Sequence, residues 1–164
     1  MSCRIINWPF FCGLVALCLF ANICCKRQTS SYLFEEGSKL VFNNDVDGLR
    51  HLLTIHPELP DLRYPFDEST LLFVACSFPG TDNALDFLLN HGADVNAVDA
   101  SGSTSLHRHI KNNNISLKTI EKLLTHGADP RIKNKSGQTP SDLINPANPS
   151  AVQIKSRMNV QANQ

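Results

Sequence analysis

The feature that most constrains this chain is a passage that it contains twice. Residues 88–107 read LLNHGADVNAVDASGSTSLH, and residues 123–143 read LLTHGADPRIKNKSGQTPSDL. The threonines Thr70, Thr104 and Thr139 occupy equivalent places, so the passage recurs every 34 or 35 residues. A fixed period of roughly 20–50 residues is typical of repeat proteins, in which each unit stacks on its neighbours. We therefore predict an array of similar units rather than a single globular core.

Each unit has the pattern of two short helices that end at a glycine. A threonine begins the first helix, because its hydroxyl accepts hydrogen bonds from free backbone N–H groups. An irregular polar stretch leads to the second helix, whose apolar residues recur at helical spacing. The glycine follows at once, since it adopts a left-handed backbone without a Cβ penalty. The pattern predicts a structural role for six residues: Gly92, Gly127, Leu89, Leu124, Thr104 and Thr139.

Helix, loop, helix, glycine and finger-like turn, repeated at this period, resemble the ankyrin repeat. The openings TSLH at 104–107 and TP at 139–140 are similar to the T-P-L-H motif of that family, and both Gly-Ala-Asp runs match its glycine stop. The resemblance covers about 36–145 and implies an all-α solenoid of helix-turn-helix repeats with short finger loops. It also implies a non-catalytic scaffold that binds another protein and needs no cofactor.

The chain divides into three regions. Residues 1–27 are expected to be a signal peptide or membrane anchor, residues 28–145 the ankyrin repeat domain, and residues 146–164 a partly disordered tail. Val152 and Met158 are expected to face inward on a short closing helix. Within the domain we expect three units and a partial fourth, at about 36–69, 70–103, 104–138 and 139–158.

The first unit departs from the pattern at two places. Asn44 stands where the family usually has glycine, and asparagine is the residue that best tolerates a left-handed backbone after glycine. The segment HPELP at 56–60 replaces the glycine stop. The finger that follows, at about 61–69, is therefore expected to be irregular.

The N-terminal segment is not repeat material. Residues 5–25 contain no charged side chain, and basic residues flank both ends. A cleaved signal peptide and a hydrophobic membrane helix both fit this composition better than a buried helix of a soluble protein. Both predict a membrane-associated or exported protein, periplasmic or secreted. Cys24 and Cys25 are candidate lipidation sites, although cysteine as an ordinary apolar residue is the simpler interpretation.

Composition and motifs exclude several classes of function. The chain has 15 basic and 15 acidic residues, so no surplus of positive charge attracts nucleic acid. It contains no nucleophile elbow, phosphate-binding glycine loop or His-Glu-x-x-His motif. Cys76 lies apart from the other five cysteines and is interpreted as a buried structural thiol. We expect no enzyme activity and no metal site, and we expect a monomer.

The histidines suggest an alternative to a scaffold function. The resemblance places His91, His107 and His126 where ankyrin repeats carry histidine, which implies hydrogen bonds between neighbouring loops and repeats. His109 stands where the family prefers alanine. A widened junction between repeats would tolerate it, whereas an enzyme or ligand-binding protein would use a polar site near His107 and His109. A structural subunit of a membrane complex is a further alternative.

The finger loops differ in charge. Residues 94–99 read DVNAVD and are acidic, whereas residues 131–135 read RIKNK and are basic. Solvation of the loops explains this difference without a function, but the concave face of a solenoid combines finger tips with the exposed side of the first helices. On that face we predict six partner-binding residues: Phe73, Val98, Arg108, Lys111, Arg131 and Lys133.

Overall fold

A computed structural model describes residues 29–112 and 115–162 of the chain. In these ranges the regular secondary structure is helical, and the one strand-like feature is an isolated antiparallel bridge between Arg63 and Thr70. The predicted all-α architecture is confirmed for this part of the chain. The α-helices are α1 (29–42), α2 (Val46–Ile55), α3 (Leu71–Ser77), α4 (Asp82–Asn90), α5 (Ser105–Lys111), α6 (Leu117–Thr125) and α7 (Ala151–Ala162), with 3-10 helices at Leu59–Asp61 and Pro140–Leu143.

The helices form two layers. The first helices of successive units lie side by side, with α3 packed on α5 and α5 packed on the second 3-10 helix. Gly37 of α1 lies so close to α3 that a Cβ atom there would stand 2.8 Å from Leu71 Cδ1. In the other layer α2 packs on α4 and α6 packs on α7. Lys122 of α6 joins that layer to α4, because its Nζ lies 2.7 Å from a carboxylate oxygen of Asp86.

One apolar cluster runs through all the units. Leu88 and Leu123, at equivalent places on α4 and α6, are fully buried, and their neighbours Leu89 and Leu124 are 7% and 6% exposed. These side chains belong to the same continuous core as residues of α1, α2, α3, α5 and α7. A single pair of short helices could not bury them, so each unit depends on the next for its core.

Left-handed residues end three of the helices. Gly92 has φ of 88° and Gly127 has φ of 89°, a region that residues with a Cβ rarely adopt. After each glycine the chain returns an N–H to its helix, from Ala128 to Leu123 O at 3.0 Å in the third unit. Asn44, with φ of 54°, takes the same backbone region after α1. Its Oδ1 atom also accepts a hydrogen bond from Ala84 N at 2.9 Å, which caps α4 of the next unit.

The C-terminal region contains a closing helix. Helix α7 spans Ala151–Ala162, beyond residue 158, where the partial fourth unit was expected to end. Met158 is buried, but Val152 is 80% exposed, and the fully buried residue of this helix is Ile154. The inward prediction for Val152 is wrong because residues four apart share one face of a helix, and 154 and 158 are the pair that faces the core.

The predicted signal peptide or membrane anchor, with the hydrophobic helix at 5–25 and the lipidation candidates Cys24 and Cys25, lies outside the described residues. Among the helices in residues 29–112 and 115–162, none combines the length and the apolar composition that a membrane crossing requires. This finding corrects the expected membrane-associated or exported localisation, and we assign no localisation to the chain.

Candidate protein-binding groove

His107 joins the third unit to the finger loop that follows it. The N–H of Thr104 donates to its Nδ1 atom at 3.1 Å, which means that Nδ1 carries no proton. The ring therefore donates from Nε2 to the carbonyl oxygen of Gln138 at 3.0 Å. Burial lowers the pKa of His107 below the usual histidine range, because a charged ring would lose its hydration. The neutral imidazole has the one tautomer that satisfies both partners.

His109 fills the junction between the second and third units. Its Nε2 atom accepts from Ser116 N at 3.0 Å, so Nδ1 carries the proton and donates to Cys76 O at 3.0 Å. Asn112 adds a bond from Nδ2 to Ser77 O at 2.9 Å. A cavity of about 220 Å³ lies beside this histidine. Both ring nitrogens are thus committed to backbone groups that hold α3, α5 and the start of α6 together.

Neither histidine is arranged for catalysis or for a metal. Burial raises the pKa of the Cys76 thiol to about 12, so this neighbour of His109 stays protonated at neutral pH. No cluster of three His, Cys, Asp or Glu side chains within the described ranges could hold a metal ion. The polar site that the sequence suggested near His107 and His109 is a set of structural hydrogen bonds.

Phe73 lies in the interior. Its side chain is 1% exposed, which corrects the expectation that it faces a partner. The reason is its register, because Phe73 follows Thr70 by three residues, as His107 follows Thr104. His107 is likewise 1% exposed. Aligning the units on their threonines would therefore have predicted from the sequence that Phe73 is buried.

Two of the other predicted contact residues are exposed on α5. Arg108 and Lys111 both reach solvent, and Arg108 donates from Nε to the Ser77 hydroxyl of α3 at 3.1 Å. With the second finger (94–103) and the third finger (129–138) they surround a space of about 180 Å³. We call this space the cationic groove. Its lining includes Asp99, Ser103, Arg108, Lys111, Asn134 and Gln138.

Hydrogen bonds hold the fingers in place. Asp99 Oδ1 accepts from Ser101 N at 2.8 Å and from Ser103 N at 2.9 Å, which closes the second finger on itself. Ala100 N donates to Asp67 O of the first finger (61–69) at 2.7 Å, and Lys135 N donates to Ser101 O at 2.9 Å. Each finger is therefore bonded to the next, and the row forms one continuous wall.

The remaining predicted contact residues lie on the fingers and differ in availability. Val98 is half-buried, and its carbonyl oxygen accepts from Arg63 Nη1 at 2.7 Å. Arg131 is exposed, but Nε and Nη2 bind the two oxygens of Asp129 at 2.9 and 3.1 Å. This pairing lowers the pKa of the Asp129 carboxyl. Lys133 is exposed. Unlike Arg131, Lys133 forms no ion pair with a carboxylate among the described residues.

Sequence reasoning missed an exposed aromatic pair on the same layer of first helices. Phe42 of α1 and Phe78 after α3 are 61% and 46% exposed. Their rings meet edge to face, with centroids 5.3 Å apart. Together with the half-buried Val74 they line a shallow groove of about 310 Å³, and we call these three residues the aromatic patch. The available signal was the position of Phe78, which begins the otherwise polar loop FPGTD.

Comparison with known proteins agrees with this architecture. A family model described as ankyrin repeats (3 copies) matches residues 38–140. Human BCL-6 corepressor-like protein 1 is 46% identical over 70 residues, which are 43% of this chain and 4% of that protein. Putative ankyrin repeat protein FPV031 of fowlpox virus is 30% identical over 136 residues, which are 80% of this chain and 38% of that protein.

A third relative is the Ankyrin repeat and LEM domain-containing protein 1 homolog of Caenorhabditis elegans. It is 40% identical over 73 residues, which are 44% of this chain and 10% of that protein. The chain thus spans less than two fifths of the length of each of these three relatives. Each match thus covers a part of a longer protein.

Proposed function

The chain belongs to the ankyrin repeat family, and we propose that it is a non-catalytic scaffold that binds another protein in the cationic groove. Ankyrin repeats in general mediate protein–protein interaction. The finer assignment concerns the face that is used, the concave side where the first helices meet the finger loops. Arg108, Lys111 and Lys133 are the residues that we place in contact with the partner, with Val98 and Arg131 at the rim.

The observation that carries this proposal is the pair of unneutralised cations on α5. Arg108 donates to a neutral hydroxyl, and among the described residues neither Arg108 nor Lys111 forms an ion pair with a carboxylate. Five other basic side chains of the described residues do form ion pairs with carboxylates, as Lys122 does with Asp86. Charges left without a partner inside a concave groove favour an acidic group supplied by another molecule.

The rigidity of the groove also supports binding. The fingers are bonded to one another through the backbone, and His107 bonds α5 to the third finger. A partner that enters such a groove orders few new residues, so little conformational entropy opposes association. Catalysis has no comparable support, because the ring nitrogens of His107 and His109 are occupied and the Cys76 thiol is buried and protonated.

Site-directed photo-crosslinking tests the choice of face. Full-length protein would carry p-benzoylphenylalanine in place of Lys111 in the groove or, as the matched control, Lys118 on α6. Both side chains are exposed lysines. In extracts of the source cells we expect a protein adduct from position 111 that Arg108→Glu abolishes. Equal adducts from both positions, or an adduct from position 118 alone, would rule out the concave groove.

A further inference from the structure

We infer that the partner segment carries a large apolar side chain beside acidic residues, and that it lies across the aromatic patch and the cationic groove together. This inference rests on the proposed function and names the class of partner. It follows from two surfaces of different chemistry that meet on one row of helices.

The aromatic patch has no cover within the described residues. Phe42 and Phe78 contact each other edge to face, and both keep about half of their surface in water. Val74, half-buried on α3, forms the floor of the groove between them. Aromatic side chains in shallow pockets are enriched among residues that dominate binding energies. An aromatic or long aliphatic side chain is the complement to a pocket of this shape.

Ser77 connects the aromatic patch to the cationic groove. Ser77 is the chain neighbour of Phe78, and its hydroxyl receives the Nε–H of Arg108 at 3.1 Å. Arg108, which lines the cationic groove with Lys111, is therefore bonded to the residue that precedes Phe78 of the patch. Equivalent positions in the repeat change character between the two surfaces, from Val74 in the second unit to Arg108 in the third. A short extended segment can reach both surfaces.

The charged residues around the groove indicate which charges the partner segment carries. The acidic residue of the cationic groove is Asp99, and its Oδ1 atom already accepts three hydrogen bonds from its own finger. Lys39, which lines the same groove as the aromatic patch, pairs with Glu36 at 2.9 Å, whereas Arg108 and Lys111 form no ion pair among the described residues. A segment with its apolar residue in the patch therefore needs carboxylates directed toward α5 and the third finger.

A peptide selection measures this preference. A phage-displayed library of random dodecapeptides would be selected against the immobilised full-length protein, and the enriched peptides would be synthesised with a fluorescent label. We expect peptides in which an aromatic or aliphatic residue lies within a few positions of two or more acidic residues. Their affinity should fall as salt is raised, because exposed ion pairs are screened.

Substitutions measure the contributions of the cationic groove and of the aromatic patch to peptide affinity separately. Arg108→Glu with Lys111→Glu should weaken the selected peptides about tenfold or more, and Phe78→Ala should weaken them several-fold. Exposed residues away from the groove serve as matched controls that should leave affinity unchanged. The charge control is Lys118→Glu with Arg157→Glu, and the apolar control is Val152→Ser.

The outcomes distinguish this inference from the proposed function. Acidic peptides that bind Phe78→Ala as well as the natural protein would overturn the contribution of the aromatic patch and leave the groove assignment standing, whereas enrichment of basic peptides would overturn both. Selected peptides that bind every groove variant unchanged, but lose affinity for the controls on α6 and α7, would overturn both.

Discussion

The second and third units begin their first helices with the same residue and then differ three positions later. In the third unit Thr104 and His107 exchange hydrogen bonds and reach Gln138 of the next finger. In the second unit Phe73 takes the place of the histidine, and the hydroxyl of Thr70 has no hydrogen-bond partner among the described residues. At this position the third unit thus places a hydrogen-bonded imidazole and the second unit a buried aromatic ring.

The partial fourth unit solves the same problem in a third way. Asp142 follows Thr139 by three residues, and its Oδ2 atom accepts from Thr139 N at 2.8 Å and from the Thr139 hydroxyl at 2.7 Å. Phenylalanine, histidine and aspartate therefore occupy equivalent positions. The array therefore tolerates different chemistry at this position as long as the helix follows the threonine, and His107 adds a hydrogen bond to the finger that follows.

The largest loss of stability is expected from substitutions in the core that both units share. Leu89→Ala and Leu124→Ala each remove most of a buried side chain at equivalent places, and each should lower the free energy of unfolding by roughly 2–5 kcal/mol. Urea denaturation followed by circular dichroism measures the change. A loss below about 0.5 kcal/mol in either unit would contradict a core that is continuous across the two.

Replacement of His107 should lower the free energy of unfolding by less than the leucine substitutions do. His107→Phe gives the third unit the chemistry of the second and leaves the buried N–H and hydroxyl of Thr104 without the imidazole. An unpaired buried group costs about 1–3 kcal/mol, and the new ring recovers part of this through apolar burial. Urea denaturation should therefore show a net loss within that range. An unchanged or increased stability would mean that the polar link between units contributes nothing.

The pH dependence of stability should follow the same histidine. Its folded pKa is lowered, so below the ordinary histidine pKa of about 6.5 the unfolded chain binds more protons than the folded one. Stability from this group is complete above that pH and is lost as the pH falls toward the folded pKa. Asp129 and Asp142, with lowered pKa values, lose their contributions only near pH 4 and below.

Urea midpoints between pH 7.5 and 5 test this assignment, with His107→Phe as the control. The natural protein should lose more stability over this interval than the variant does. Identical slopes would show that His107 titrates alike in the folded and the unfolded chain.

The smallest effect is expected from the reverse exchange. Phe73→His gives the second unit a partner for Thr70, and Ser103 O stands where Gln138 O stands in the third unit. The free energy gained from the hydrogen bonds and the free energy lost with apolar burial are of similar size. At pH 7.5 we therefore expect the free energy of unfolding to change by less than about 1.5 kcal/mol. The variant should also become more sensitive to acid than the natural protein. A large loss without acid sensitivity would mean that histidine cannot form these bonds in the second unit.

The sequence predicts the helix pairs well because their signals are local. Gly92, Gly127 and the apolar spacing of α4 and α6 specify where helices begin and end. The direction of single side chains was less predictable. Val152 is exposed in a helix whose weak amphipathic pattern allowed more than one choice of buried face, and Phe73 is buried because of its register within the unit.

The candidate site depends on contacts between units, which local patterns do not contain. The meeting of Phe42 with Phe78 joins residues 36 positions apart that are not equivalent in the repeat. The bond from Arg108 to Ser77 likewise depends on how α5 sits against α3. Exposed charges such as Lys111 were predictable as charges, but only the structure brings them beside an aromatic patch.

Hydrogen–deuterium exchange of the full-length protein, with and without the tightest selected peptide, tests the central claim most directly. If a partner segment occupies the concave groove, the peptide should slow amide exchange in α5 and in the second and third fingers, and should leave α4 and α6 unchanged. Slower exchange confined to α4, α6 or α7 would place the partner on the opposite layer and contradict this account.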